Sequence, residues 1–230
     1  MSQFLLEGLI EGVFISEIKN RFLCTVLVND IETICYVPCS CRLSNFLDLK
    51  DKKVLLLPVS SKKARTSYSV LAIEFKRNYI LLNTSIPNRV LENEIKGRRF
   101  SFLGKRREIT HEVMIDDYKC DLYIHDTDTI VEIKSIISAK KTVQFPTVYS
   151  ERANRQLESI LRLLENGHRV VYLFASLNPY VINMQIAESE PYSRLFKICI
   201  KQGMIVKGAS LRLQNNEISV SSLYDIEITE

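Results

Sequence analysis

Residues 169 to 175 read Arg-Val-Val-Tyr-Leu-Phe-Ala, and no other stretch constrains the fold of this chain as tightly. A strand with one wet face alternates polar and apolar residues. A run without alternation is covered on both faces, which places it at the centre of a sheet with a layer on each side. Its neighbours supply those layers. Residues 150–166 predict a helix with Ala153, Leu157, Ile160, Leu161 and Leu164 on one face at 3.6-residue spacing, closed by Gly167 at the C-cap. A second helix is expected over 189–201, stopping at Gly203. Strands are expected at 112–115, 120–124 and 129–133 before this unit and at 204–206 and 209–213 after it. The order strands, helix, buried strand, helix, strand predicts a mixed sheet flanked by helices.

The first 76 residues have a different texture. Residues 22–28 and 31–37 are strand-like runs around Asn29-Asp30, a pair that accepts the left-handed backbone of a tight hairpin turn. Further strands are expected at 54–59 and 67–75. About five short strands in this length fit a small closed barrel of the OB type. The chain therefore divides into an OB-like β-barrel at 1–76 and an α/β domain at 77–230. The second opens with a short strand at 79–82 and a helix at 86–96.

With 7 glycines in 230 residues and neither GxGxxG nor GxxxxGK[ST], dinucleotide and P-loop chemistry are excluded. The net charge of +4 is too small to name a partner, so the distribution of charge matters more than its sum. No charged-then-apolar leader opens the chain, and no apolar run reaches the roughly 18 residues a membrane helix needs. A cytoplasmic location is expected, with the six cysteines reduced.

Chemistry concentrates in 121–134. If the hairpin there turns on Asp126-Thr127, residues whose numbers sum to 253 face one another, and Asp121 stands opposite Glu132 with Cβ atoms about 4.5–5.5 Å apart. Lys134, two residues on, shares the sheet face of Glu132. Two such carboxylates repel unless a hard cation sits between them. Mg²⁺ or Mn²⁺ there would polarise a phosphodiester and acidify a bound water. A surface salt bridge is the common alternative for an acid-x-Lys triplet. The apolar setting of Ile130, Val131, Ile133, Ile136 and Ile137 argues for a purpose, because charges within an apolar strand carry a cost.

Taken together, Asp121, Val131-Glu132-Ile133-Lys134-Ser135, Phe145-Pro146 and Ser150-Glu151-Arg152 resemble the C-terminal half of the sugar fermentation stimulation (SfsA) proteins. That family carries (R/K)xD, EVKS, FPDA and TxRGxKHL in the same order. Arg21-Phe22-Leu23, Asn83-Thr84 with Asn88, and Glu112-Val113 resemble its RFL, NTxxxN and SEV. The resemblance implies an OB-like domain followed by a PD-(D/E)xK nuclease-type domain in a DNA-binding protein. By position it makes Asp121 and Glu132 metal ligands, Lys134 the catalytic lysine and Glu112 a further acidic residue of the site. Gln156, where the family has His, matches a Gln that nucleases of this fold carry on the helix after the ExK strand. The chain departs from the family at Thr147, Ala153 and the loop 36–42.

Several cations are candidates for a phosphate backbone. Arg98, Arg99, Lys105, Arg106 and Arg107 belong to the stretch 96–107, which has six basic and no acidic residues, with Phe100 and Phe102 as packing or stacking groups. Arg152 and Arg155 stripe the long helix, and Lys140 and Lys141 follow the ExK strand. Lys62, Lys63 and Arg65 sit in a barrel loop of the kind that contacts ligands in OB folds. Cys35, Cys39 and Cys41 match no zinc or iron–sulfur spacing. The expected function is a DNA-binding protein with a Mg²⁺- or Mn²⁺-dependent phosphodiesterase site. The alternative is a DNA-binding regulator that keeps the fold without turnover.

Overall fold

The computed structural model describes residues 4–39, 42–61, 63–147, 149–188 and 190–228. After β1 (Phe4–Leu5), the first domain is built from β2 (Ile10–Glu17), β3 (Leu23–Val28), β4 (Ile31–Tyr36), β5 (Lys53–Pro58), β6 (Tyr68–Phe75) and β7 (Asn78–Leu81). Strand order is β4-β3-β2-β5-β6-β7, and a parallel contact between Tyr36 and Ser69 joins β4 to β6. The five strands β2 to β6 thus close into an OB barrel. Asn29 and Asp30 take φ of 49° and 63°, the paired left-handed turn that their side chains tolerate. Gly12 lets β3 approach β2: a Cβ there would stand 2.6 Å from Val26 Cγ1 and 2.9 Å from the Leu27 carbonyl oxygen.

Beyond the barrel come α1 (Ile86–Glu94), a 3₁₀ segment at Arg98–Leu103, and β8 (Ile109–His111). Two short strands, β9 (Met114–Ile115) and β10 (Tyr118–Lys119), lead to β11 (Leu122–Ile124) and β12 (Thr129–Ile136). Next are β13 (Thr142–Phe145), α2 (Glu151–Glu165), β14 (Arg169–Ser176), β15 (Asn183–Ile186) and α3 (Tyr192–Lys201). The chain closes with β16 (Ile205–Gln214), β17 (Glu217–Tyr224) and β18 (Ile226–Glu227). A seven-stranded mixed sheet runs β1-β17-β16-β14-β12-β11-β8, and β14 lies parallel to both β12 and β16 at its middle, as its unbroken apolar run requires.

The two faces of this sheet bury different cores. Val131, Ile133, Val171, Leu173 and Leu211 join α1 and the barrel residues Leu55, Leu71 and Leu81 in one cluster. Ile130, Val170, Tyr172 and Phe174 on the opposite face pack on Leu157, Ile160 and Leu163 of α2 and Phe196 of α3. The barrel also has an interior of its own, around Phe14, Val26, Val54 and Ile73.

Several sequence expectations are corrected: the strand expected to open the second domain is β7, which pairs with β6 in the barrel sheet, and β1 leaves the barrel to pair with β17. Residues 112–115 are not one strand, because Glu112 adopts a left-handed backbone (φ 51°) and breaks it. The segments 204–206 and 209–213 are a single strand, β16, and its hairpin partner β17 was not anticipated. On α2 the buried face is Ala153, Asn154, Leu157, Ile160 and Leu163, with Leu161 and Leu164 at its flanks. The helix after β15 begins at Tyr192, and Ser189 lies outside the described residues, as do Cys41 and Lys62.

Candidate metal and nucleic-acid site

The pairs Leu122–Val131, Tyr123–Ile130 and Ile124–Thr129 hold the register sum of 253, which continued by one step sets Asp121 against Glu132. Asp121 stands where β11 ends. Its Oδ2 accepts from the Ile133 amide (2.7 Å), replacing a strand carbonyl in the ladder, and its Oδ1 accepts from Asn88 Nδ2 of α1 (2.8 Å). Glu132 is 3% exposed and points to the α2 side of the sheet. Its Oε2 accepts from the Tyr118 hydroxyl (2.5 Å), and its Oε1 from the Gln156 amide and from Lys134 Nζ (3.4 Å). Gln156 also accepts a hydrogen bond from Lys134 through Oε1, so one carboxamide fixes acid and ammonium together.

Burial, then the neighbouring charge of Asp121, pushes the Glu132 carboxyl up to about 7, against the pull of Lys134. Such a carboxylate is short of positive charge. Among the described residues no group of three His, Cys, Asp or Glu side chains converges as a metal cage. A two-carboxylate site suits a hard cation that keeps several waters, as Mg²⁺ does. The donor set therefore fits the ion expected from the sequence.

Glu112 does not join this cluster. Its carboxylate is exposed and pairs with Lys119 (2.6 Å), which holds it below the usual carboxylate range. Asn88 and Tyr118, absent from the sequence reading of the site, do join it. Asn88 carried a signal in its spacing from Asn83-Thr84. Tyr118 carried none, because a turn on Asp116-Asp117 had to be seen first.

The cations separate into two groups. Arg99 donates to the Val220 carbonyl, and Arg106 to the carbonyls of Ile95 (2.6 Å) and Gly97 (2.7 Å). Arg106 thus braces the 96–107 segment and Arg99 ties it to β17, with Phe100 wholly buried beneath it, so both guanidinium groups are engaged by backbone carbonyls. Lys105 pairs with Asp126 (3.0 Å), while Arg98 and Arg107 are exposed. Lys140 and Lys141 are exposed beyond the end of β12, and Arg152 and Arg155 are exposed at the start of α2, the helix that carries Gln156. Lys63 and Arg65 are exposed in the β5–β6 loop. The outer wall of the barrel also bares Ile34 (53% exposed), Tyr36 and Phe22, the last under the guanidinium of Arg21 at 5.0 Å.

A closed OB barrel fused to a helix-flanked mixed sheet, with a buried Glu132 beside a half-buried Asp121 on the sheet, defines the class of protein. Residues 18–82 match the SfsA N-terminal OB domain, and residues 85–217 match the sugar fermentation stimulation protein RE domain. The chain belongs to the SfsA family. The sugar fermentation stimulation protein homolog of Caldanaerobacter subterraneus subsp. tengcongensis is 30% identical over 171 residues, covering 72% of this chain and 73% of that one. The homolog from Natranaerobius thermophilus is 25% identical over 176 residues, covering 74% and 72%. The structure of Pyrococcus furiosus SfsA in complex with Ca²⁺ shares the fold, with a TM-score of 0.83 at 19% identity over 99% of this chain and 100% of that one. No helix among the described residues is long and apolar enough to cross a membrane.

Proposed function

We propose that this protein binds DNA and hydrolyses phosphodiesters at the Asp121–Glu132 site with Mg²⁺ or Mn²⁺, the α/β domain working as a PD-(D/E)xK nuclease. The observation that carries this reading is the buried Glu132, short of positive charge beside Asp121, with Lys134 and Gln156 fixed against it. The Ca²⁺ complex of the Pyrococcus furiosus relative is consistent with an oxygen-rich cation site in this family.

In this reading Asp121 and Glu132 hold the cation, which supplies Lewis-acid polarisation and a more acidic water. Asn88 keeps Asp121 from rotating. Lys134 is half-buried and held by Gln156, so its ammonium is presented as a fixed charge to the phosphoryl oxygens, where developing negative charge is stabilised without reorganisation. Lys140, Lys141, Arg152 and Arg155 then track the backbone on either side. The barrel offers Tyr36 and Phe22 as stacking surfaces, with Lys63 and Arg65 on a loop.

Incubation of the wild type and of Asp121→Ala with single- and double-stranded DNA and RNA in Mn²⁺ tests the reading. Cleavage by the wild type alone is expected. Equal behaviour of the two proteins on every substrate would remove the catalytic claim. Salt-sensitive DNA binding without cleavage would leave a DNA-binding regulator.

A further inference from the structure

β8 to β11 form one long hairpin. The pairs Leu122–His111, Lys119–Met114 and Tyr118–Ile115 all sum to 233, so the register never slips. The ladder bends at Glu112, and beyond the bend β9 and β10 leave the main sheet and lean over the α2 face. The tip, Asp116-Asp117, turns through φ of 43° and 63°. It is latched by two residues that meet one oxygen: Asp116 Oδ2 accepts from Asn166 Nδ2 (3.0 Å) at the end of α2 and lies 3.1 Å from His168 Nε2. The other ring nitrogen of His168 meets Asp128 at 3.0 Å, and Asp128 also accepts from Tyr123 (2.8 Å). Between this latch and Tyr118 a cleft of about 580 Å³ separates the tip from Ser159, Arg162 and Leu163 of α2. Beyond the cleft, Tyr118 donates to Glu132 and accepts from Gln156 Nε2 (3.0 Å).

We propose that residues 113–120 are a strap that positions the Glu132 carboxylate for its cation, with Tyr118 as the positioning residue and His168 as the latch that holds the strap in place. Resting on the metal-site reading above, this adds a control of that site from His168, which lies 36 residues beyond Glu132 in sequence. The warrant is geometric. Tyr118 is the one strap side chain that reaches the carboxylate, and it ties two parts of the cluster, Glu132 and Gln156, to the same hydroxyl. Hydrogen-bond partners of ligating carboxylates set metal affinity by about 10–100-fold.

The test is Mn²⁺ titration by calorimetry on the full chain, with thermal melting of each metal-free variant. Tyr118→Phe keeps the ring and is expected to weaken Mn²⁺ binding by about 10–100-fold. His168→Ala, which touches no residue of the cluster, is expected to weaken it by a smaller factor in the same direction. Asn78→Ala, which loses a hydrogen bond to Tyr180 at the domain junction, reports what an unrelated loss of one contact does and should leave affinity unchanged. Wild-type affinity in Tyr118→Phe, or an equal loss in Asn78→Ala, overturns the strap while the metal site stands. Failure of the wild type to bind Mn²⁺ overturns the metal site and the strap with it.

Discussion

At Glu132 an acid that prefers to ionise near pH 4.5 is held in surroundings that raise it to about 7. The native state therefore binds the proton more tightly than the unfolded chain. The stability this contributes is complete below about pH 4.5 and is lost as pH rises through about 7. Glu132→Gln, which mimics the protonated form, should match the wild type at pH 4.5 and exceed it by up to about 3 kcal/mol at pH 8. Urea melts at the two pH values measure the difference, and Mn²⁺ should reverse its sign by stabilising the wild type alone. A gap that does not change with pH would contradict the burial argument. Asp121, Glu132 and Lys134 were legible in the sequence because strand register is simple arithmetic once the turn is placed. Glu112 was misplaced because a left-handed residue inside a strand-like run leaves no mark in hydrophobic pattern.

At the scale of one element, α2 shows how much a helix owes to packing. Ser150 caps it by accepting from the Ala153 amide (3.2 Å), and Gly167 ends it at φ 92°. Ser150→Ala should cost about 1 kcal/mol. Leu157→Ala, wholly buried against β14, should cost about 2–5 kcal/mol. Urea melts rank the two, and a larger loss at the cap would show that propensity and not burial holds the helix. The position and ends of α2 were visible from spacing and Gly167. Its burial of Leu163 in place of Leu161 and Leu164 was not, because the angle at which a helix settles on a sheet is fixed by its partners. β17 is hidden in the sequence for a related reason: Ser219, Ser221 and Ser222 make it look polar, yet the strand pairs with β16 along its length.

For the whole molecule, the decisive feature is the cluster that α1, the barrel strands β5 to β7 and the sheet share. Leu81 donates its amide to the Leu177 carbonyl (2.9 Å), so the backbone crosses the junction as well. Equilibrium unfolding should therefore give one transition, with barrel and sheet probes coincident. A fragment ending at Leu82 should be much less stable than the full chain, since Leu55, Leu71 and Leu81 lose their cover. Two separated transitions would refute this. The sequence disclosed both domains through a change from hairpin texture to helix and buried strand. It did not disclose their fusion, since which apolar residues face inward and which face a neighbour look alike in one dimension. In hereditary terms the barrel is not a cassette. Exchanging it between relatives would also require compatible residues on α1 and on the covered face of the sheet, where Leu55, Leu71 and Leu81 are buried.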